Sequence, residues 1–367
     1  MRIMSTRIRM TALAAALVSA VAAVLVVSAA ASSSHSGVNA TVRIAFINDG
    51  PVNDGGWTEA IYLGQQAIDK QFGSKIETTY ATNVFGNDIT RVAEQYIHEG
   101  YNVIVDGGCA GCAQIRALAV RYPNVKFLMA DGNPPFRSNE AALFPKYWQS
   151  GYLMGVTAGL LTKSNKIGTV ASFNIPLVDS IINAYALGCQ SVDPKCEVLM
   201  DVQNSWLLPA KTSQMANSLI DQGADFVWSY LNDTTTARVS EQRGAWTGGA
   251  YLDQLQFAPK KYATGEVFMW DSPFAQQVTA LLNGTFKSGL YLSSLGQGFD
   301  IGKVWGPNVP ASVKAKVLAL KSKIKGGWNP FTGPIYDQKG KLRVKNGQSL
   351  GEDYLYYQWN WLVKGVK

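Results

Sequence analysis

The chain has 367 residues, of which 47% are apolar and 16% are charged, and this composition excludes a disordered or collagen-like protein. A chain of this length predicts two domains, because one hydrophobic core rarely serves more than about 250–300 residues. The formal net charge is +7, but the lysines are dense only near the C-terminus and no nucleic-acid-binding motif or arginine stripe accompanies them, so nucleic-acid binding is not expected.

The N-terminal segment has the pattern of an export signal. Three arginines within the first nine residues precede an uncharged apolar run at 11–27, and the alanines at 29–31 form a small-residue cleavage site before Ser32. This predicts a signal peptide over residues 1–31 and a flexible tether over residues 32–41. An uncleaved anchor is the alternative, because the apolar run is nearly long enough to span a bilayer. Both interpretations place the rest of the chain outside the cytoplasm, in the cell envelope, the periplasm or the extracellular space.

The next segment alternates short apolar strands with helices, which is the pattern of a parallel sheet covered on both faces. Two such series flank a helix of small apolar residues at 151–161. Strands are predicted at 42–48, 76–81, 103–106, 125–130, 166–172, 197–202, 226–230 and 248–252, and helices at 57–72, 88–98, 113–121, 178–190, 210–222 and 234–243. The similarity of the two series predicts an α/β protein of two doubly wound lobes joined by a hinge.

The remaining chain is expected to divide between these lobes. A strand, two helices and a hairpin are predicted at 263–270, 274–282, 311–324 and 335–344. Lobe one is predicted over residues 42–150 plus about 254–290, and lobe two over residues 151–253 plus about 291–367. Because ligands of open α/β sheets bind beyond the carboxyl ends of the strands, the cleft between the lobes is the predicted site.

Two tryptophans mark loops that face this cleft. Trp57 follows the first strand and a glycine-rich turn that begins at Asp49, and Trp270 follows the strand-like run at 263–270. Aromatic rings with short polar neighbours suit a flat, polar small molecule. Interior packing is the alternative for both tryptophans, and Asp54 is expected to serve the turn and the start of the helix.

Four cysteines in an exported chain predict two disulfides. Three connectivities are possible, and the local pairs Cys109–Cys112 and Cys189–Cys196 are preferred. The first pair has the CxxC spacing of redox enzymes, but it follows the third strand of a long chain, so a structural bridge beside the cleft is predicted. No metal site is expected, since one of the two histidines, His35, falls in the tether.

Several stretches, in order along nearly all of residues 42–366, carry a resemblance to a known family. They are FINDGPVNDGGWTEA (46–60), YPNVKF (122–127), GYLMGVTAGLL (151–161), NSWLLPAK (204–211), LIDQGADFVW (219–228), LNGTFKSG (282–289) and FTGPIYDQKGKLRVKNGQSL (331–350). Together they resemble the basic membrane protein family of ABC-transporter solute-binding proteins, the group of the PnrA-type purine nucleoside receptors. The resemblance implies a type I periplasmic-binding-protein fold that hands a purine nucleoside or nucleobase to a membrane permease, with no cofactor and no catalysis. We expect a monomer.

The resemblance also implies a set of ligand-binding residues. The positions that match the family's stacking aromatic, acids and polar neighbours are Asp49, Trp57, Thr58, Asp131, Asn232 and Asp233. Helix capping is the alternative for Asn232 and Asp233. Trp206, which follows a lobe-two strand, is expected either to line the cleft or to pack beneath it.

The loop of Trp270 and Asp271 departs from the family pattern. Nucleoside-binding members carry a basic residue near this position, and this chain does not. The departure favours a nucleobase, or another flat heterocycle or amide, with Trp270 and Asp271 beside it. The chain also lacks the lipid-attachment cysteine of many members.

Two other classes of function stay open. A nucleoside hydrolase would need a pair of carboxylates, which Asp49, Asp131, Asp233 or Asp271 could supply, although GxSxG and HExxH motifs are absent. A sensor would present the bound solute to a receptor rather than to an importer. Release of the base from a nucleoside would distinguish an enzyme from a binding protein.

Overall fold

A computed structural model describes residues 42–108 and 111–367. The predictions for residues 1–41 and for Cys109 lie outside this part of the chain. Within the described ranges, no helix combines the length and the apolar character needed to cross a bilayer.

Strands and helices alternate along the first described series, as predicted. Its elements are β1 (Val42–Ile47), α1 (Trp57–Phe72), β2 (Ile76–Ala81), α2 (Asp88–His98), β3 (Val103–Asp106), α3 (Cys112–Arg121), β4 (Lys126–Ala130) and β5 (Glu140–Pro145). The strand β5 was not predicted, because its short run EAALFP begins with an acid and ends with proline.

The second series begins with the helix that connects the lobes. Its elements are α4 (Trp148–Leu161), β6 (Lys166–Ala171), α5 (Pro176–Gln190), β7 (Glu197–Val202), α6 (Pro209–Asp221), β8 (Phe226–Val227), α7 (Thr235–Arg243), β9 (Trp246–Gly249) and β10 (Tyr262–Phe268). The last elements are α8 (Asp271–Leu282), β11 (Gly289–Ser293), β12 (Phe299–Trp305), α9 (Ala311–Lys325), β13 (Ile335–Tyr336), β14 (Leu342–Val344) and α10 (Glu352–Tyr357).

The first sheet, which forms lobe one, has the strand order β11-β5-β4-β3-β1-β2. All of its neighbouring strands run parallel. The central strand β3 is buried at every residue, because helices cover both faces of the sheet. The order changes direction between β1 and β3, and such a switch point opens a crevice at the carboxyl ends of the two strands.

The second sheet, which forms lobe two, has the order β12-β10-β9-β8-β6-β7, with its switch point between β6 and β8. Its strands are parallel except for the edge strand β12. The two sheets confirm the prediction of two doubly wound parallel-sheet lobes.

The strand β10 corrects the expected course of the chain. It lies inside the range expected for lobe one, but it pairs with β9 and β12 of the second sheet. The connection after β9 is long enough for a crossover to a parallel neighbour in the same sheet, which needs about a dozen residues. The chain returns to lobe one only afterwards, where α8 packs on α1 and β11 joins β5.

The small-residue helix α4 packs closely against α5. A side chain at Gly155 would overlap the carbonyl oxygen of Tyr185, and one at Gly188 would overlap that of Tyr152. Glycine at both positions therefore lets the two backbones touch. This contact explains why GYLMGVTAGLL is apolar on nearly all sides and almost wholly buried.

The predicted disulfide Cys189–Cys196 is present and joins the end of α5 to the start of β7, with Cα atoms 6.0 Å apart. The other predicted pair includes Cys109, which lies outside the described residues, so that pairing stays a prediction.

A buried acid lies in the core of lobe two. Glu266, on β10, is fully buried, and burial raises its pKa to about 8. Ser150 lies within hydrogen-bond distance of both a Glu266 oxygen and the carbonyl of Tyr147. Its single hydroxyl hydrogen can serve only one of these acceptors. A protonated Glu266 resolves the conflict, because the acid donates to Ser150 while Ser150 donates to Tyr147.

This protonated acid predicts a pH-dependent stability. The unfolded chain releases the Glu266 proton near its ordinary pKa of 4.5, and the folded chain keeps it to about pH 8. The free energy of unfolding should therefore fall as pH rises between these values, by about 1.4 kcal/mol per pH unit from this group. Urea unfolding at pH 5, 6, 7 and 8 should show this slope in the wild type relative to Glu266→Gln. Parallel curves for the two proteins would contradict a neutral Glu266.

Candidate ligand-binding site between the lobes

A cavity of about 230 Å³ lies where the carboxyl ends of the two sheets face each other. Six residues of each lobe line it: Asp49, Trp57, Gly108, Ala130, Asp131 and Phe144 from lobe one, and Ile175, Leu177, Trp206, Tyr230, Asn232 and Tyr251 from lobe two. The lining includes residues that follow β1 and β3 in lobe one and β6 and β8 in lobe two. The cavity therefore lies at both switch points, where open α/β sheets bind ligands.

The glycine-rich turn after β1 places Trp57 at the start of α1. The carboxylate of Asp54 accepts hydrogen bonds from the backbone N–H groups of Gly56, Thr58 and Glu59, at 2.8, 3.0 and 3.1 Å. These bonds satisfy amides in the first turn of α1 that have no partner within the helix. The geometry confirms the prediction that Asp54 serves the turn and the helix start.

Trp57 is the centre of an aromatic cluster beneath the cavity. Its ring centroid lies 5.4–5.8 Å from those of Phe144, Tyr251, Phe268 and Trp270. Its indole N–H donates to the carbonyl of Gly107, a residue that follows β3. The side chain is only 7% exposed, yet it lines the cavity. A ligand can therefore meet the indole ring, whose N–H is already used.

Asp49 lies at the end of the same strand and also lines the cavity. Burial raises the pKa of its carboxyl above the ordinary value, and the nearby Asp54 raises it further. The Thr58 hydroxyl is 3.5 Å from the Asp49 carboxylate and opposes this rise. Thr58 itself is buried and does not line the cavity, so the structure places it behind Asp49.

Asp131 reaches the cavity from the end of β4 with a left-handed backbone, φ +112°. Its Oδ1 accepts hydrogen bonds from the Tyr356 hydroxyl and, at 2.7 Å, from the backbone N–H of Gly132. Burial raises the pKa of Asp131, and these two hydrogen bonds oppose the rise. Both bonds end on Oδ1, which leaves Oδ2 as the oxygen available to a ligand among contacts with described residues.

In lobe two, Asn232 and Trp206 line the cavity side by side. The Asn232 backbone N–H donates to the Trp206 carbonyl at 3.0 Å, and the Trp206 ring packs edge-on against Phe173. Asp233 does not line the cavity. Its carboxylate accepts a hydrogen bond from the backbone N–H of Thr235, at the start of α7, at 2.6 Å. This contact matches the helix-capping alternative for Asp233.

Trp270 and Asp271 also lie outside the lining. Trp270 is 2% exposed and stacks on Phe274 at 5.3 Å, and its ring meets the Trp57 ring edge-on. Asp271 is exposed at the first position of α8, where an acid is favourable. The structure thus brings together Asp49, Trp57, Asp131, Asn232 and Trp206, and does not bring these two residues to the cavity.

Four aromatic residues at the site were missed from the sequence. Tyr230 and Tyr251 lie near the ends of predicted lobe-two strands. This position could have identified them as candidate cavity residues. Phe144 lies on the unpredicted strand β5. Tyr356 is 225 residues from Asp131 along the chain, and only the folded C-terminal segment brings its hydroxyl to that carboxylate.

The lobes touch at the rim of the cavity. The Gln254 side-chain amide donates to the Gly55 carbonyl at 3.1 Å, and a Cβ at Gly56 would lie 3.2 Å from the carbonyl carbon of Asn232. These contacts join the two lobes at one side of the cavity, where a hinge motion would separate them.

The charge of the site is one-sided. Among the twelve described residues that line the cavity, two are acids and none is Lys, Arg or His. A third acid, Asp106, is buried at the end of β3, and its pKa lies well above the ordinary value because of burial and of the nearby Asp49 and Asp131. The site can accept hydrogen bonds from N–H groups and stack on planar rings, but it offers no countercharge to an anion. No group of side chains with the composition of a metal site occurs in the described ranges.

Comparisons with known proteins agree with this architecture. Residues 41–293 match the family model described as ABC transporter substrate-binding protein PnrA-like. A purine-binding protein of Brucella abortus is 31% identical over 327 residues, covering 89% of this chain and 93% of that protein. A protein of Haloferax volcanii named as a glucose-binding protein of an ABC transporter is also 31% identical, over 89% of this chain and 81% of its own length.

A solved structure also shares the fold. The solute-binding protein of an ABC transporter system from Conexibacter woesei superposes with a TM-score of 0.64 at 20% identity, covering 78% of this chain and 97% of that one. The superposition shows that this solved protein shares the fold of the chain.

Proposed function

The chain belongs to the PnrA-like family of ABC transporter substrate-binding proteins, and from this premise we propose that its cavity binds a purine-like nucleobase or nucleoside. The observation that carries the proposal is the combination of five aromatic rings with two carboxylates and one amide in a single lining. Rings stack on the faces of a purine, and the polar side chains read the donors and acceptors at its edge.

The size of the cavity favours a small base within this class. Its volume of about 230 Å³ is below the range of roughly 300–1,000 Å³ usual for drug-sized ligands. No basic residue is among the described residues that line the cavity, which agrees with the missing basic residue near Trp270. Both observations support a nucleobase over a ligand with an additional ribose.

Glucose is a second candidate, because a relative of similar identity is named for it. A sugar presents hydroxyl groups around its whole ring and requires many hydrogen-bond partners. Of the twelve lining residues that the structure describes, only Asp49, Asp131 and Asn232 supply carboxylate or amide groups, whereas five are aromatic. This ratio of ring surface to polar groups favours the purine.

A binding role without catalysis completes the proposal. ABC substrate-binding proteins deliver their ligand to a permease, and a single protein with one cavity suffices for this as a monomer. Nucleoside hydrolysis would use Asp49 and Asp131 as acid and base, and presentation to a sensor receptor would use the same cavity. Incubation with adenosine and guanosine followed by chromatography tests the first alternative, since release of free base would contradict a binding-only protein.

The one-sided charge predicts strong selection against nucleotides. Isothermal titration calorimetry with adenine, guanine, adenosine, guanosine, adenosine monophosphate and glucose should give the tightest binding for a base or a nucleoside. The nucleotide should bind at least about a hundredfold more weakly than adenosine, because its phosphate would be buried beside carboxylates without a countercharge. Equal affinity for adenosine and its monophosphate would contradict the proposed electrostatics, and preference for glucose would contradict the purine.

A further inference from the structure

The positive charge of this chain is concentrated at its C-terminal end. Residues 301–367 contain 12 basic and 3 acidic side chains, whereas residues 1–300 contain 21 basic and 23 acidic ones. The whole excess of positive charge therefore belongs to the last 67 residues. None of the twelve described residues that line the cavity comes from this segment, so the ligand site does not explain the excess.

Part of this charge surrounds the hairpin formed by β13 and β14, which we call the C-terminal hairpin (residues 335–344). Ile335 pairs with Val344, and both are 4% exposed. Tyr336 pairs with Leu342, and these are 43% and 44% exposed. The hairpin therefore buries one apolar pair and presents the other, of similar size, to solvent.

The hairpin is a fixed part of lobe two. Near the C-terminus, Val366 pairs with Val198 on β7, and the backbone N–H of Lys364 donates to the Tyr336 carbonyl at 2.9 Å. The C-terminal residues thus connect the hairpin to the β7 edge of the second sheet. At the turn, the Asp337 carboxylate accepts the backbone N–H groups of Lys339 and Lys341, each at 3.0 Å.

Four lysines around the exposed pair are available to a partner. Lys339, Lys341, Lys345 and Lys364 are exposed and form no ion pair with another described residue. Arg343 pairs with Asp337, and Lys367 pairs with Glu197. Asp337 and Glu197 are thus already engaged in ion pairs, and the four exposed lysines give the hairpin a basic surface that includes a tyrosine and a leucine.

Two ordinary explanations account for only part of this surface. Lysines on an edge strand such as β14 prevent sheet-to-sheet aggregation, but this does not explain an outward-facing tyrosine and leucine. A protein interface would place apolar residues at a core from which lysine is depleted. Lysines that surround an interfacial tyrosine and leucine are typical of surfaces that meet anionic headgroups.

We propose that the C-terminal hairpin docks lobe two on an anionic phospholipid membrane. The lysines meet the phosphate-bearing headgroups, and Tyr336 and Leu342 enter the headgroup layer. Docking through lobe two leaves lobe one able to move about the hinge. The proposal is independent of which solute occupies the cavity.

Vesicle co-sedimentation of the exported chain tests this proposal. Binding to vesicles of equal parts phosphatidylglycerol and phosphatidylcholine should exceed binding to pure phosphatidylcholine, and 0.5 M NaCl should remove the difference. The double variant Lys339→Glu/Lys341→Glu should bind the anionic vesicles at least about tenfold more weakly, since each lysine near such a surface contributes about fivefold. Tyr336→Ser/Leu342→Ser should weaken binding at the same net charge.

A matched control carries the same change of charge elsewhere. Lys70→Glu/Lys75→Glu alters two exposed lysines of lobe one and should change vesicle binding less than twofold. Circular dichroism and thermal unfolding establish that each variant is folded. An N-terminal anchor would bind both kinds of vesicle and all variants equally. That result would overturn the proposal, as would equal losses in the hairpin and control variants, or binding to heparin without binding to anionic vesicles.

Discussion

Replacing Trp57 with alanine should weaken purine binding by more than tenfold, which corresponds to more than about 1.4 kcal/mol. Trp57 lines the cavity with its ring, and its indole N–H is held by the Gly107 carbonyl. The variant loses the stacking surface together with the residue that orders the aromatic cluster. Calorimetric titration of the base that binds most tightly to the wild type measures this loss.

The loss of affinity must be separated from a loss of stability. Trp57 contacts four other aromatic rings, so its removal should also lower the free energy of unfolding by about 3–5 kcal/mol. Trp270→Ala is the matched control, since Trp270 is also buried in the same cluster but does not line the cavity. It should lower stability similarly and change affinity less than threefold. Equal losses of affinity in both variants would show that Trp57 serves packing rather than ligand contact.

Asp131→Asn should weaken binding by roughly tenfold to more than a hundredfold, the range of a charged hydrogen bond worth about 1.5–3 kcal/mol. Oδ1 of Asp131 is occupied by Tyr356 and by the backbone of Gly132, so Oδ2 is the oxygen that would accept an N–H of the purine. An asparagine keeps the size of the side chain but loses the negative charge. If the asparagine oxygen accepts the hydrogen bond from Tyr356, the side-chain NH₂ group faces the N–H of the ligand. Two hydrogen-bond donors then face each other.

The pH dependence of binding distinguishes this role from a structural one. Burial raises the pKa of Asp131 and the Tyr356 hydroxyl lowers it, and only the ionised form accepts hydrogen bonds at both oxygens. Binding should weaken as pH falls through this raised pKa, and Asp131→Asn should lose that part of the profile. Tyr356→Phe should move the acid limb to higher pH. An unchanged profile in both variants would contradict a ligand contact by Asp131.

The architecture could be predicted from sequence because it follows from local patterns. Short apolar runs separated by helical periodicity gave the strands β1 to β4 and β6 to β9, and the strand ends located the cleft. The assignment of β10 failed because a strand-like run does not record which sheet it joins. Its partners β9 and β12 are selected by the crossover and by tertiary packing.

The site itself was only partly accessible from sequence. Asp49, Trp57, Asp131, Asn232 and Trp206 follow predicted strands, and the fold brings all five to one cavity. Trp270 has the same local pattern as Trp57, but it packs under that ring rather than beside the cavity. This difference depends on the contact with Phe274, which is set by how α8 returns to lobe one.

Tyr356 is the clearest example of a site residue that the sequence does not predict. The C-terminal segment belongs mainly to lobe two, yet this hydroxyl reaches the Asp131 carboxylate of lobe one. No periodicity or turn signal near Tyr356 encodes a contact across 225 residues. Long-range contacts of this kind become visible only when both lobes are folded.

Native mass spectrometry of the protein with an equimolar mixture of adenine, guanine, adenosine, guanosine, adenosine monophosphate and glucose tests most directly whether the cavity binds a purine. We expect a single adduct, one ligand per protein monomer, whose mass is that of a base or a nucleoside, and a smaller fraction of this adduct in Trp57→Ala. An adduct of glucose or of the nucleotide in preference to every purine base and nucleoside would contradict the purine-binding function.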